Sequence, residues 1–271
     1  MLVSVGQFDP AGSPEANVAV MRTLATQARA EGAQLVIFPE ESMCSIGKVE
    51  GEFAAAVAAH WSAFVRDLTA IAHELHIAVI AGGYEPSTDH RPYNTLVVID
   101  DEGRVVETYR KLHLYDAFSH RESSRIAAGD EGPKNVDLGG LNVGVMTCYD
   151  LRFPEVARVL AEDGADLIAV PSAWFRGDHK VDHWETLLKA RAIENTCWVA
   201  AAGTSSAHTI GHSAIIDPMG VPSDFLEEEP QGLVTVDVTR RRIDEVREFL
   251  PVLRNRRLLS SRTVVPAPNG D

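Results

Sequence analysis

The chain states one plan twice. Gly32-Ala33-Gln34-Leu35 leads through an apolar run to Pro39, and Gly164-Ala165-Asp166-Leu167 leads through another to Pro171. Ile99-Asp100 before Gly103 likewise matches Ile216-Asp217 before Gly220, and an opening strand pattern from Leu2 has a counterpart starting at Leu141. The offset shrinks along the chain, so this is a degenerate duplication whose loops have changed length. Such a repeat constrains the fold more than any single motif. Two α/β halves, each a mixed sheet with helices on one face, bury their bare faces against each other. The expected fold class is therefore α/β, an internally duplicated four-layer α-β-β-α sandwich forming one domain over residues 1–271.

Short apolar runs alternate with helical patterns in both halves. Strands are predicted over Leu2–Phe8, Leu35–Phe38, Ile77–Ala81, Asn94–Ile99 and Val105–Tyr109. Ser13 as N-cap and Pro14 at the first helical position introduce a helix over Asn17–Ala30, and a second is predicted over Trp61–Leu75. The second half gives strands at Leu141–Thr147, Leu167–Val170, Trp198–Ala202 and His212–Ile216, with helices at Pro154–Glu162 and His183–Glu194. Near-continuous apolar strands such as Leu35–Phe38 suit sheets covered on both faces. An open doubly wound sheet is the competing architecture. It is weaker because Gln7-Phe8-Asp9-Pro10 stands where a glycine-rich phosphate loop would follow the first strand.

Charge narrows the partners. With 25 Lys+Arg against 39 Asp+Glu, the net charge of −14 disfavours nucleic acid or an anionic membrane, which attract basic surfaces. Cys44, Cys148 and Cys197 lie far apart without a CxxC pair, so neither a zinc site nor a disulfide framework is expected. No basic leader precedes a long apolar stretch, and no apolar run approaches the ~20 residues of a spanning helix. A reducing cytoplasm fits these features, and no metal or cofactor is expected.

Reactive groups in α/β proteins gather where strands end. Glu40 follows one strand end, Lys111 another and Cys148 a third, the first two from one half and the cysteine from the other. A free thiol of pKa ~8.5 needs a base or a nearby cation to act as nucleophile at neutral pH. Glu40 is suited to take the thiol proton and return it to a leaving amine. A protonated Lys111 is suited to face the oxyanion formed when sulfur adds to a carbonyl. The carboxylate raises the thiol pKa and the ammonium lowers it, which leaves thiol or thiolate open at this level. Taken singly, each residue is commonplace: a cysteine ending an apolar strand is usually structural, and a loop Glu or Lys usually a solvated charge.

Phe38-Pro39-Glu40, Tyr109-Arg110-Lys111-Leu112-His113-Leu114 and Thr147-Cys148-Tyr149-Asp150-Leu151-Arg152-Phe153-Pro154-Glu155 resemble, in order, the three signature segments of the nitrilase superfamily of carbon–nitrogen hydrolases. The likeness continues through Pro171-Ser172-Ala173-Trp174, His183-Trp184-Glu185 and Ala190–Asn195. It implies the duplicated sandwich, with Glu40 as general base, Lys111 as oxyanion stabiliser and Cys148 as nucleophile forming a thioester. It also implies a second glutamate between the lysine and cysteine segments, for which Glu122 is the best match and Glu131 the lesser one. The backbone N–H of Tyr149 would complete the oxyanion hole. Glu41 departs from the pattern, since a small or apolar residue is commoner there, and reads as a loop charge.

The short Nit-type branch fits best, which implies an amidase releasing ammonia from a small linear amide. A nitrilase, a ureido-acid hydrolase and a non-catalytic scaffold are the alternatives. ω-Amides of dicarboxylates and deaminated glutathione carry a remote carboxylate, for which Arg176 or Lys180 would be the cation. Trp174 is expected to line the pocket, with Tyr149 and Arg176 as further substrate contacts. Arg152 and Arg191 read as members of buried ion pairs. His113 invites a Cys–His protease reading, but that family's local signature is absent; His183 reads as an orienting or core residue, and Cys44 and Cys197 as buried thiols. The arginine-rich tail, about residues 240–271, is interleaved with Asp244, Glu245 and Glu248. By analogy it packs at the interface of a homodimer or higher homo-oligomer.

Overall fold

Side chains alternate across a β-strand, and that alternation sorts the apolar residues of this protein into three cores. In the computed structural model, which describes residues 1–88, 90–118, 120–258 and 263–267, the elements run as follows. The first half holds β1 (Leu2–Phe8), α1 (Pro14–Ala30), β2 (Leu35–Ile37), α2 (Phe53–Leu75), β3 (Ala78–Glu85), β4 (Tyr93–Ile99) and β5 (Val105–Arg110). A small hairpin, β6 (Asp116–Ala117) and β7 (His120–Arg121), leads to β8 (Asn135–Leu138). The second half holds β9 (Leu141–Val145), α3 (Pro154–Glu162), β10 (Leu167–Ser172), α4 (Lys180–Asn195), β11 (Trp198–Gly203), β12 (Ala214–Ile216) and β13 (Pro222–Phe225). β14 (Gln231–Asp237), α5 (Arg240–Phe249) and α6 (Val252–Asn255) follow.

The sheet orders are β14-β1-β2-β3-β4-β5 and β8-β9-β10-β11-β12-β13, the latter written from its far edge. The duplication is thus visible strand for strand, with one exchange. β8, the last strand before the second half, pairs antiparallel with β9, and β14 pairs antiparallel with β1 over Leu2↔Asp237 to Phe8↔Gln231. Each sheet therefore borrows its outer strand from the flank of the other half.

Between the sheets, Val3, Val5, Leu35, Ile37, Ile80, Leu96 and Val98 meet Val143, Val145, Leu167, Ala169, Ala200 and Ile215. The alternate residues Val36, Val79 and Val97 face Met21 and Leu24 of α1 and Phe64 and Leu68 of α2. On the other side, Ile168, Val170 and Val199 face Leu160 of α3 and Trp184 and Leu188 of α4. Helix, sheet, sheet and helix layers result, as the repeat predicts. Trp184 is wholly buried and its indole N–H donates to His212 O at 2.8 Å, so the bulky ring enters the core with its polar atom satisfied.

Three differences from the sequence reading have local causes. α2 begins at Phe53 rather than Trp61, because the Glu52 carboxylate caps the N–H groups of Ala54 and Ala55 at 3.1 and 2.6 Å and an alanine-rich turn follows. α4 begins at Lys180 rather than His183, with Lys180 itself buried. β8, β13 and β14 carry mixed polar patterns and are not expected as strands; β8 and β13 pair in local hairpins with β9 and β12, whereas β14 finds its partner β1 only at the other end of the chain. In the tail, Arg240 pairs with Asp166 at 2.7 Å, Arg242 with Asp217 at 2.7 Å, and Arg256 with Glu162, so these arginines are tied to their own fold.

Candidate active site

Glu40 sits just past β2, where Phe38 N donates to Ile80 O at 2.8 Å and prolongs the pairing with β3. The chain then folds tightly over β3: Gly82 N donates to Pro39 O at 3.1 Å and Met43 N to Gly82 O at 3.2 Å. That crossing is possible only because position 82 lacks a side chain, since a Cβ there would stand 2.1 Å from Glu40 O. The glycine lets the backbone of β3 support Glu40 from beneath.

Lys111 extends the line of β5, with its N–H donating to Asn94 O at 2.8 Å. Its side chain is 2% exposed. The ammonium donates to Glu40 Oε1 at 2.8 Å and to Glu122 Oε1 and Oε2 at 3.1 and 2.9 Å. Burial alone would push Lys111 down, but the Glu122 and Glu40 carboxylates outweigh it and hold the ammonium well above the usual lysine range. Glu122 opens a short 3₁₀ turn, and its Oε2 also accepts from Tyr115 N at 2.6 Å.

Cys148 ends the run of β9 and opens a 3₁₀ turn over Cys148–Arg152 with φ of 44°. Left-handed backbone at a non-glycine residue costs about 1–2 kcal/mol. Asp150 holds the turn. It is wholly buried; its Oδ2 accepts from Thr147 N at 3.0 Å and from the Tyr109 hydroxyl at 2.8 Å. Oδ1 accepts from His113 N at 3.1 Å and lies 2.7 Å from His113 Nδ1. The lysine and cysteine segments are therefore stapled together through one carboxylate flanking both. His113 stacks on Phe153 with ring centroids 3.7 Å apart and serves Asp150, not the thiol.

The Cys148 thiol shares the cavity wall with Glu40. Burial first, then the Glu40 charge, raise the thiol well above its ordinary range, and Lys111 offsets only part of this. Of the opposing pulls left open by the sequence, burial and the Glu40 charge are the larger. Glu40 is oriented by three donors. Lys111 Nζ and Asn94 Nδ2 (2.7 Å) hold Oε1, and Ala173 N holds Oε2 at 2.7 Å. Asn94 and Ala173 escaped the sequence reading. The only signal was position, since Asn94 opens a strand beside Lys111 and Ala173 precedes the motif tryptophan.

A partly open cavity lies here. Glu40, Lys111, Glu122 and Cys148 line it together with Tyr149 and Trp174. Arg176 does not: it pairs with Glu228 at 2.9 Å and donates to Ser206 O at 3.1 Å. Lys180 lines the cavity at 5% exposure, its ammonium 2.8 Å from the Tyr115 hydroxyl and 5.6 Å from the Trp174 ring centroid. Arg152, expected in an ion pair, lies over Trp174 at 4.7 Å and faces the cavity instead. Arg191 does form its pair, with Glu194 at 3.0 Å. Glu131 is exposed and bonded to Lys134 at 2.8 Å, away from Lys111. Glu41 is not a solvated loop charge: it is 8% exposed and lines the cavity.

A family model described as carbon-nitrogen hydrolase matches residues 2–248. The chain belongs to the carbon–nitrogen hydrolase family. It is a hydrolase acting on carbon–nitrogen bonds, a member of the nitrilase superfamily with Nit-type relatives. It is 40% identical over 268 residues to a deaminated glutathione amidase of Escherichia coli O157:H7, covering 95% of this chain and 97% of that one. A deaminated glutathione amidase of Synechocystis sp. is 36% identical, over 83% of this chain and 87% of the relative. Among solved structures, a variant of the amidase from Nesterenkonia sp. AN1 superposes with a TM-score of 0.82 at 28% identity, covering 95% and 94% of the two chains. In that protein the active-site cysteine carries the acetamide moiety of fluoroacetamide.

Proposed function

We propose that this hydrolase is an amidase that cleaves a small linear amide through a thioester on Cys148, releasing ammonia. Glu40 takes the thiol proton as sulfur attacks the carbonyl carbon. The oxyanion so formed faces the Lys111 ammonium and the Tyr149 N–H. Glu40 then delivers its proton to the nitrogen as the C–N bond breaks, and activates the water that hydrolyses the thioester. Glu122 keeps Lys111 charged and aimed. The observation that carries this reading is the buried Lys111 ammonium, hydrogen-bonded to both Glu40 and Glu122 in the cavity that Cys148 also lines.

The cavity also supports a carboxylate-bearing acyl group. Lys180 and Arg152 stand close enough for one to depress the other: burial first, then the Arg152 charge, lower Lys180 below the usual lysine range. A substrate carboxylate would relieve both. This accords with relatives named for deaminated glutathione.

The test is hydrolysis across ω-amides of dicarboxylates, deaminated glutathione, ureido acids, short aliphatic amides and their matched nitriles. Intact mass of the trapped enzyme should show an acyl adduct on Cys148, absent in Cys148→Ala. Full activity in Cys148→Ala, or no turnover of any amide, sinks the proposal, and faster turnover of the matched nitrile makes the enzyme a nitrilase instead.

A further inference from the structure

Glu41 is a second carboxyl on the cavity wall for which the reaction just described has no use. Its Oε1 accepts from the Tyr84 hydroxyl at 3.0 Å and from Ile46 N at 3.2 Å. These donors are all neutral. The charged neighbour that acts on it is another carboxylate, Glu40. Arg125 lines the same cavity but lays its guanidinium over the Phe53 ring, 5.0 Å from the centroid. A buried carboxyl without a counter-charge is costly, and here the face left for one is the cavity itself.

The wall is therefore two-signed. Lys180 and Arg152 bring cations near Cys148, and Glu41 brings an uncompensated carboxyl beside Glu40. Glu40 is also where the leaving nitrogen collects its proton, and Glu41 is its chain neighbour on the same cavity wall. We infer that Glu41 is a specificity-determining residue that selects amides whose leaving amine carries a further N–H donor, an ammonium above all. This rests on the amidase reading and adds a preference at the leaving group.

The electrostatics add a consequence. Burial, then the Glu40 charge, push Glu41 up to about 7, with Ser45, Ile46 N and Tyr84 opposing the rise. In the empty cavity at neutral pH it is part protonated, and an arriving ammonium expels that proton.

The probes are N-(2-aminoethyl)glutaramate and N-propylglutaramate, equal in length and different in one charge. The enzyme should favour the aminoethyl amide in kcat/KM by about tenfold or more. Glu41→Gln, which keeps an acceptor for Tyr84 and Ile46, should collapse that ratio. Calorimetry at pH 7 in two buffers of different ionisation enthalpy should show proton release when Cys148→Ala binds the aminoethyl compound. Cys148→Ala/Glu41→Gln should show none. A ratio near one in the wild type, a ratio untouched by Glu41→Gln, or equal binding of both compounds overturns the inference. If the binding difference and proton release are present but neither amide is cleaved, the inference stands and the amidase reading falls.

Discussion

Replacing Lys111 by methionine tests the electrostatic core of the site. The substitution keeps an unbranched side chain and removes the one charge that lies between two carboxylates. The Lys111 side chain is 2% exposed, against 4% for Glu40 and 11% for Glu122. Without it the two acids face each other with only neutral donors, Asn94 Nδ2, Ala173 N and Tyr115 N. Breaking a buried pair by removing one partner costs about 3–5 kcal/mol. At about 2–4 °C per kcal/mol for a chain of this size, the melting temperature at pH 8 should fall by roughly 6–20 °C. The loss should depend on pH in a defined direction. In the variant two buried acids share one pocket without a counter-charge, and protonating one of them removes their repulsion. The deficit relative to the wild type should therefore grow as pH rises and shrink as pH falls. Calorimetric melts of both proteins from pH 5 to pH 8 measure this. A deficit that is constant across the range, or larger at pH 5, would refute the reasoning. Hydrolysis should fall by about 10²–10³, the usual cost of one oxyanion donor.

Gly82→Ala places a Cβ 2.1 Å from Glu40 O and should displace Glu40, the proposed general base. We expect hydrolysis to drop at least about tenfold and stability by about 1–3 kcal/mol, read by kinetics and urea melts; wild-type values for both would mean that the close approach is unimportant. Lys180→Met should raise KM for ω-amides of dicarboxylates about tenfold or more while neutral amides of equal length are spared, and parallel losses on both would remove the carboxylate reading. Alkylation of Cys148 by iodoacetamide should keep rising with pH to at least about 9, because burial and the Glu40 charge raise the thiol above its ordinary range. A plateau below pH 8 would show a thiolate at rest. Cys44 and Cys197, pushed up to about 12 chiefly by burial, should stay unmodified in the native protein.

The sequence by itself determined the layers and the reactive trio. Alternation within apolar runs such as Leu35–Phe38 is a local signal, and the duplication turns two such sheets into one stack. Glu40, Lys111, Glu122 and Cys148 were nameable because strand ends and motifs are short-range features of the chain. What only the tertiary structure decided is everything that depends on distant partners. β14 looks half-polar until it lies along β1, and Asn94 and Ala173 become part of the site only when three strands converge on Glu40. Asp150 lies in a motif legible from the sequence, but its joining of the cysteine turn to the lysine segment appears only in space. The fate of each charge was decided in the same way. Arg176 and Lys180 are near neighbours on one loop, and Glu41 follows the general base directly. Which of them faces solvent, a partner or the cavity is set by burial and by the charges that folding brings alongside, and that information is not local to the chain.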